Sequence, residues 1–87
     1  MNRQEIETIV LKVLSTVLKC EVTLESERNQ IPQWDSLKHI EVIFAVEDEL
    51  GLQFAEEELA SLDTVSRIVK KALENYAAQS NNRRIYF

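Results

Sequence analysis

DSLKHIEVIFAVEDEL, at residues 35–50, predicts one helix of roughly four turns with well-defined ends. Asp35 is a favourable N-cap, because its side-chain oxygen can accept a hydrogen bond from a first-turn N–H group that has no partner inside the helix. Gly51 follows the last turn, where the chain often adopts the left-handed conformation that glycine tolerates best. We therefore predict a helix that is capped by Asp35 and ends at about Leu50.

This helix has two apolar faces when its residues are placed about 100° apart. One face, which we assign to the core, comprises Val42, Ile43, Val46 and Leu50. The other, here called the apolar strip, comprises Leu37, Ile40 and Phe44, flanked by Glu41, Glu47 and Asp48. Exposed apolar surface with a polar rim typically marks a protein contact. The alternative is that the short third helix or the long loop covers the strip.

A first helix is predicted before this segment. Asn2 and Glu5 have the spacing of a capping box. Apolar residues follow at steps of three and four, as one stripe: Ile6, Ile9, Val10, Val13, Leu14 and Val17. The pattern ends near Lys19, and a long connection with one proline follows at residues 20–34. Loops of this length inside a small domain usually have a task or some structure of their own.

The remaining chain predicts one short and one long helix. Residues 56–61 fit an acidic helical turn, and either Asp63 or Thr64 can cap the last helix. The apolar stripe of that helix is Val65, Ile68, Val69, Ala72, Leu73 and Tyr76. We thus expect an all-α small four-helix bundle at residues 1–78, with three long helices, one short helix and a long loop between the first two. We expect residues 79–87 to be a mobile C-terminal tail.

Composition limits the class of protein. The 87 residues suffice for one small domain, and a single glycine and a single proline argue against a turn-rich β architecture. The longest apolar run, residues 42–46, is far too short to cross a bilayer, and the N-terminus has no signal-peptide core. Cys20 is alone, which fits a reducing cytosol. We expect a cytoplasmic monomer without membrane insertion.

The negative charge is concentrated in one segment. Residues 35–58 contain eight acids and one base, Lys38, which gives this segment a net charge of −7 within a chain of net charge −5. Such a field argues against nucleic acid and favours a basic protein partner. The alternative is a solvated face that only keeps the domain soluble.

Ser36 is the residue that we consider most suited to a chemical role. It lies where the unpaired N–H groups and the positive end of the helix dipole converge. That setting favours a covalently attached phosphate group, although Ser36 can also be an ordinary first-turn residue. A hydrolase using Ser36 with His39 lacks a third member and an oxyanion hole, and the wheel turns His39 toward the core. We therefore interpret His39 as a packed or capping residue, and Trp34 as packing the loop onto the bundle.

A metal site is not predicted. The three consecutive acids at residues 56–58 point around a helix rather than to one centre, and no calcium-loop spacing is present.

Residues 35–50 strongly resemble the attachment helix of acyl carrier proteins. The similarity continues through Phe54, the three acids at residues 56–58, and Asp-Thr-Val at residues 63–65. It extends from the first helix to about Tyr76. The motif, the acidic helix, the spacing to the last helix and the length are specific only in combination.

The resemblance implies that Ser36 accepts 4′-phosphopantetheine from coenzyme A through a separate Mg²⁺-dependent phosphopantetheinyl transferase. Asp35 would lie next to the metal site of that enzyme. The thiol of the arm would hold an acyl or aminoacyl group as a thioester for loading and acyl-transfer enzymes, so the carrier itself is not an enzyme. The partner-binding residues would be Leu37, Lys38, Ile40, Glu41, Phe44, Glu47 and Asp48.

Three departures from the common pattern of the family concern the pathway. Trp34 stands where a small residue usually precedes the aspartate, and Lys38 stands where fatty-acid-synthesis carriers usually have an acid. Residues 25–33 lack a run rich in phenylalanine and acids. Among the carriers of fatty acid biosynthesis, polyketide biosynthesis and related routes, these features are typical of a carrier that serves one specialised pathway. The alternative function is an unmodified, carrier-like scaffold for protein–protein interaction.

Overall fold

The computed structural model describes the backbone of residues 2–85 and the side chains of residues 2–77. Within this range the fold is all-α, and the predicted small bundle of three long helices and one short helix is confirmed. The long helices are α1 (Arg3–Leu18), α2 (Ser36–Leu50) and α3 (Val65–Ile85). A 3₁₀ helix occupies Glu56–Ser61, and a single 3₁₀ turn occupies Arg28–Gln30 inside the long loop.

Both ends of α1 follow from local chemistry. The Asn2 side chain accepts a hydrogen bond from the Glu5 N–H at 2.9 Å, and the Glu5 carboxylate accepts one from the Asn2 N–H at 3.0 Å. The predicted capping box is therefore confirmed. The helix ends at Lys19, which adopts the left-handed conformation with φ of 56°. Any residue in the left-handed conformation interrupts a right-handed helix, so α1 stops here.

The core forms where α1 packs against both α2 and α3. All four residues assigned to the core face of α2 are buried, as are most of the stripes predicted on the other two helices. Ile9, Val17, Leu73 and Tyr76 are partly buried at the edge of this core. The fully buried aliphatic side chains contribute about 1.5–3 kcal/mol each relative to exposure.

The C-terminal end of α2 reverses the chain at Gly51. This glycine has φ of 65°, and its N–H donates to the Glu47 carbonyl at 2.8 Å. The Glu47 carboxylate then accepts a hydrogen bond from the Phe54 N–H at 2.8 Å. These bonds direct Leu52 and Phe54 back into the core, where both side chains are buried.

The long loop is tied to the start of α3 by backbone hydrogen bonds. The Arg28 N–H donates to the Asp63 carbonyl at 2.8 Å, and the Val65 N–H donates to the Ser26 carbonyl at 3.1 Å. Glu27 and Thr64 pair between them as an isolated antiparallel bridge. The loop therefore has structure of its own, as its length predicts.

Thr64 caps α3, because its Oγ1 accepts a hydrogen bond from the Arg67 N–H at 3.1 Å. Asp63 instead pairs with the Arg67 guanidinium at 2.7 Å. The helix continues through residues 79–85, beyond the point where we expected the domain to end. The mobility expected of residues 79–87 stays a prediction, and residues 86–87 lie outside the described part of the chain.

Glu58 joins the 3₁₀ helix to α3. Its carboxylate accepts hydrogen bonds from the Ala55 N–H at 2.6 Å and from the Asn75 amide at 3.3 Å, and it pairs with Lys71 at 3.2 Å. The Ala55 hydrogen bond is the main reason that the pKa of Glu58 lies below its ordinary value of 4.5; Asn75 and Lys71 act in the same direction, against partial burial. In turn, the hydrogen bond to Glu58 raises the pKa of Lys71.

Glu58→Gln is expected to make the stability of the protein less dependent on acidity. The folded-state pKa of Glu58 lies below its value in the unfolded chain, so the unfolded chain binds more protons and stability decreases as the pH is lowered. The stabilisation by this carboxylate is present above about pH 4.5 and is lost as pH falls through the lowered folded value. Urea unfolding at several pH values measures how the free energy of unfolding depends on pH. Glu57→Gln is the control on the same 3₁₀ helix. Equal acid sensitivity in both variants would contradict the assignment.

Candidate functional site

Ser36 is the first residue of α2 and its side chain is exposed. Asp35 caps the helix as predicted, since its Oδ1 accepts a hydrogen bond from the Lys38 N–H at 2.9 Å. The Asp35 carbonyl accepts the first helical hydrogen bond, from the His39 N–H at 2.8 Å. The cap fixes the backbone on both sides of Ser36 and leaves the hydroxyl accessible to a partner.

A guanidinium group lies beside this hydroxyl. Arg28 Nη2 donates to Ser36 Oγ at 3.3 Å, and Arg28 Nε donates to the Trp34 carbonyl at 3.2 Å. The amino-acid sequence alone does not predict this contact of Arg28, because the contact depends on the path of an irregular loop. The only signal that pointed toward it was the length of that loop.

Trp34 and His39 form a buried hydrogen-bonded link behind Ser36. Trp34 Nε1 donates to His39 Nδ1 at 2.9 Å, and His39 Nε2 lies 2.9 Å from the Leu59 carbonyl. An indole N–H can only donate, so Nδ1 is the acceptor and Nε2 carries the proton that faces Leu59. Trp34 and His39 are 2 % and 6 % exposed. The link connects the long loop, α2 and the 3₁₀ helix.

The predicted packing roles of Trp34 and His39 are therefore confirmed. The same geometry weighs against a Ser36–His39 hydrolase. Both ring nitrogens of His39 are engaged by Trp34 and Leu59, and neither bonds to Ser36 in the described structure. A general base needs hydrogen-bond reach to the proton it removes.

The apolar strip on α2 is exposed, as predicted. Leu37, Ile40 and Phe44 are 67 %, 48 % and 62 % exposed, so neither the long loop nor the 3₁₀ helix covers them. Large apolar side chains at this exposure lose the stabilisation that burial gives. Three of them along one helix face, next to Ser36, form a surface suited to docking another protein.

The three acids flanking the strip are not equivalent. Asp48 is exposed, and exposed Glu41 pairs with Lys38 at 3.3 Å. Glu47 is half-buried, and its carboxylate holds the Phe54 N–H. The helix wheel places all three at the rim, but only the structure shows that Glu47 also stabilises the turn after α2. Its predicted partner contact stays a prediction.

None of the helices in the described range has both the length and the apolar character that a bilayer crossing requires. Within the same range, no group of three histidine, cysteine or acidic side chains is placed to hold a metal ion.

No protein-family model matches the chain, and no curated protein shows significant similarity to it.

Proposed function

We propose that the protein is an acyl carrier, which holds an acyl or aminoacyl group as a thioester on 4′-phosphopantetheine attached to Ser36. The observation that supports this most is an exposed serine on the first turn of a capped helix, bonded to the Arg28 guanidinium and followed by the apolar strip. These features serve covalent attachment of an anionic group and docking of the enzymes that use it.

The residues at this site fit a phosphopantetheine group. The Ser36 hydroxyl is exposed, and the neighbouring cationic donor suits a phosphodiester. When attached, the arm supplies a thiol whose thioester keeps the cargo reactive toward nucleophiles. The chain itself supplies the attachment oxygen, the fixed helix start and the docking surface.

In the proposed attachment, coenzyme A donates its phosphopantetheine unit to Ser36. Ser36 Oγ forms a bond to the phosphorus that bears the pantetheine unit, while the bond from that phosphorus to the bridging oxygen of the pyrophosphate breaks. Adenosine 3′,5′-bisphosphate leaves, and the hydroxyl proton is released. Asp35, next to the attacking oxygen, is proposed to approach the metal site of the transferase.

The direct test is to incubate the unmodified protein with coenzyme A, Mg²⁺ and a broad-specificity phosphopantetheinyl transferase. Intact mass should rise by one phosphopantetheine, and peptide mapping should place it on Ser36. If several transferases add nothing, the carrier function is contradicted and an unmodified scaffold is favoured. The intact mass of the protein purified from its own cells would also give the mass of the group that it carries.

The partners that we propose are the transferase and the loading and acyl-transfer enzymes, which dock on the apolar strip. Because the strip is flanked by exposed Glu41 and Asp48, the complementary surface on those enzymes is basic. Lys38 is proposed to restrict which enzymes can dock, since a positive charge among acids disfavours a partner whose docking surface is uniformly basic. This supports a carrier dedicated to one specialised pathway.

Reversing the two exposed acids, with Glu41→Lys and Asp48→Lys together, is expected to slow loading roughly tenfold at low salt. The difference should shrink as ionic strength rises, because screening acts beyond about 10 Å at 0.1 M. Glu47 is left unchanged, because its carboxylate holds the Phe54 N–H. Loading rates across a salt series measure the effect.

Glu21→Lys with Glu25→Lys is the matched control, since both residues are exposed in the long loop and the net charge changes equally. Equal slowing in both double variants would show that only total charge matters.

In the same assay, Lys38→Asp should impair loading by the protein's own enzyme and improve use by general fatty-acid-synthesis enzymes. If it shifts neither rate, Lys38 is an ordinary surface residue.

A further inference from the structure

The backbone of Arg28 is held in place from two sides. Its N–H donates to the Asp63 carbonyl at 2.8 Å, and its own carbonyl accepts a hydrogen bond from the Ile31 N–H at 3.2 Å. The preceding residue, Glu27, pairs with Thr64. The start of α3 therefore fixes the position from which the Arg28 side chain reaches Ser36.

Both hydrogen bonds that the Arg28 guanidinium donates in the described structure go to neutral groups. Its two hydrogen bonds go to the Trp34 carbonyl and to Ser36 Oγ, and within residues 2–77 no carboxylate lies within ion-pair distance of it. By contrast, Arg3 and Arg67 pair with carboxylates at 3.0 Å and 2.7 Å. A guanidinium has five N–H donors, and these contacts engage two of them. Within residues 2–77 no carboxylate therefore pairs directly with the Arg28 guanidinium, although Glu27 and Asp63 line the groove beside it.

We propose that Arg28 is a positioning residue for the modification of Ser36, and that it binds the phosphodiester once the arm is attached. This inference rests on the proposed carrier function. Before transfer, the Nη2 donor holds Ser36 Oγ in one orientation. After transfer, the non-bridging oxygens lie one bond beyond the phosphorus on Oγ, within reach of the same group. The planar guanidinium can bind two such oxygens side by side.

The surroundings confine this role to a covalently attached group. Arg28 and Trp34 line an open groove of about 340 Å³ between the long loop and the 3₁₀ helix, and Glu27 and Asp63 line it too. Those carboxylates disfavour a free anion inside the groove. A phosphate is therefore held against the guanidinium where its bond to Ser36 places it.

The test compares two variants of Arg28. Arg28→Gln removes the positive charge, whereas Arg28→Lys keeps the charge but loses the planar guanidinium that can donate two parallel hydrogen bonds. Arg3→Gln is the matched control, because it removes the same charge from another helix. The rate of phosphopantetheine transfer is measured as kcat/KM. We expect roughly a tenfold loss in Arg28→Gln, the effect of about one charge-assisted hydrogen bond, partial recovery in Arg28→Lys, and no change in Arg3→Gln.

A spectroscopic measurement separates phosphate contact from a structural role. In the wild-type protein, the Arg28 Nε–H resonance should shift when the unmodified form is converted to the modified form. The ³¹P resonance of the phosphodiester should differ between the wild type and Arg28→Gln, and should agree between the wild type and Arg3→Gln. The wild-type comparison requires no variant, so it decides even if Arg28→Gln fails to fold.

Two results would overturn the inference in distinguishable ways. If the wild type is modified but Arg28→Gln is modified equally fast, and the Arg28 Nε–H resonance is unchanged by attachment, the role of Arg28 is refuted while the carrier function stands. If the wild type accepts no phosphopantetheine at all, the carrier function and the role of Arg28 fail together.

Discussion

Ser36→Ala is expected to carry no phosphopantetheine under conditions that modify the wild-type protein completely. The substitution removes the attacking oxygen and leaves the helix start intact, because the cap is made by Asp35. Stability should change by no more than about 0.5 kcal/mol, as for most exposed substitutions. Intact mass measures the attachment, and urea unfolding shows that the variant is folded.

Ser66→Ala is the matched control, because Ser66 is also an exposed serine in the first turn of a helix. Its Oγ lies 3.4 Å from Thr64 Oγ1. Among the described hydrogen bonds it has no guanidinium donor like the one at Ser36, so it should be a poor acceptor and its variant should be modified like the wild type. If Ser36→Ala gains a group that maps to another serine, the attachment site is assigned wrongly.

Trp34→Ala is expected to lower the free energy of unfolding by about 3–5 kcal/mol, the usual cost of removing a buried aromatic side chain. Trp34 is 2 % exposed and holds the long loop on the core. Small domains have little stability in reserve, and about 5–15 kcal/mol is typical of proteins in general. The variant should therefore keep only part of the stability of the wild type and unfold at a clearly lower urea concentration. Urea unfolding followed by helical circular dichroism measures the change.

Two further variants show what causes this loss of stability. The first separates the hydrogen bond from the packing of the ring, and the second is a control on an exposed ring. Trp34→Phe keeps most of the buried ring but leaves His39 Nδ1 without its donor, which should cost about 1–3 kcal/mol. Phe44→Ala removes an aromatic ring that is 62 % exposed and should change stability little. If Trp34→Phe equals the wild type, the hydrogen-bonded link contributes nothing. If Trp34→Ala is no worse than Phe44→Ala, Trp34 does not anchor the loop.

The elements that the sequence predicts well depend on short-range chemistry. The capping box of Asn2 and Glu5, the Asp35 cap and the Gly51 stop each involve residues within one helical turn. The period of the helix likewise predicts which side of α2 is buried, because only one face can meet α1. Exposure of Leu37 and Phe44 follows from the same argument.

The contacts that escaped prediction depend on irregular backbone. Arg28 reaches Ser36 only because the loop pairs with the start of α3, and no periodic pattern records that pairing. Glu47 was placed at the rim of the apolar strip, yet the turn after α2 brings the Phe54 N–H to its carboxylate. Trp34 and His39 were each predicted to pack, but not to bond to each other.

If Ser36 carries the proposed arm, the backbone pairing between the long loop and α3 also affects how the tethered group is delivered. For a cargo attached at Ser36, the volume it explores depends on the arm and on any motion of the attachment point. Because Arg28 and Val65 are joined to Asp63 and Ser26 by backbone hydrogen bonds, the loop beside that point is fixed to the bundle. The spread of cargo positions would then come mainly from the arm. A smaller search volume raises the effective concentration of the cargo at the active site of a docked enzyme, without any added contact.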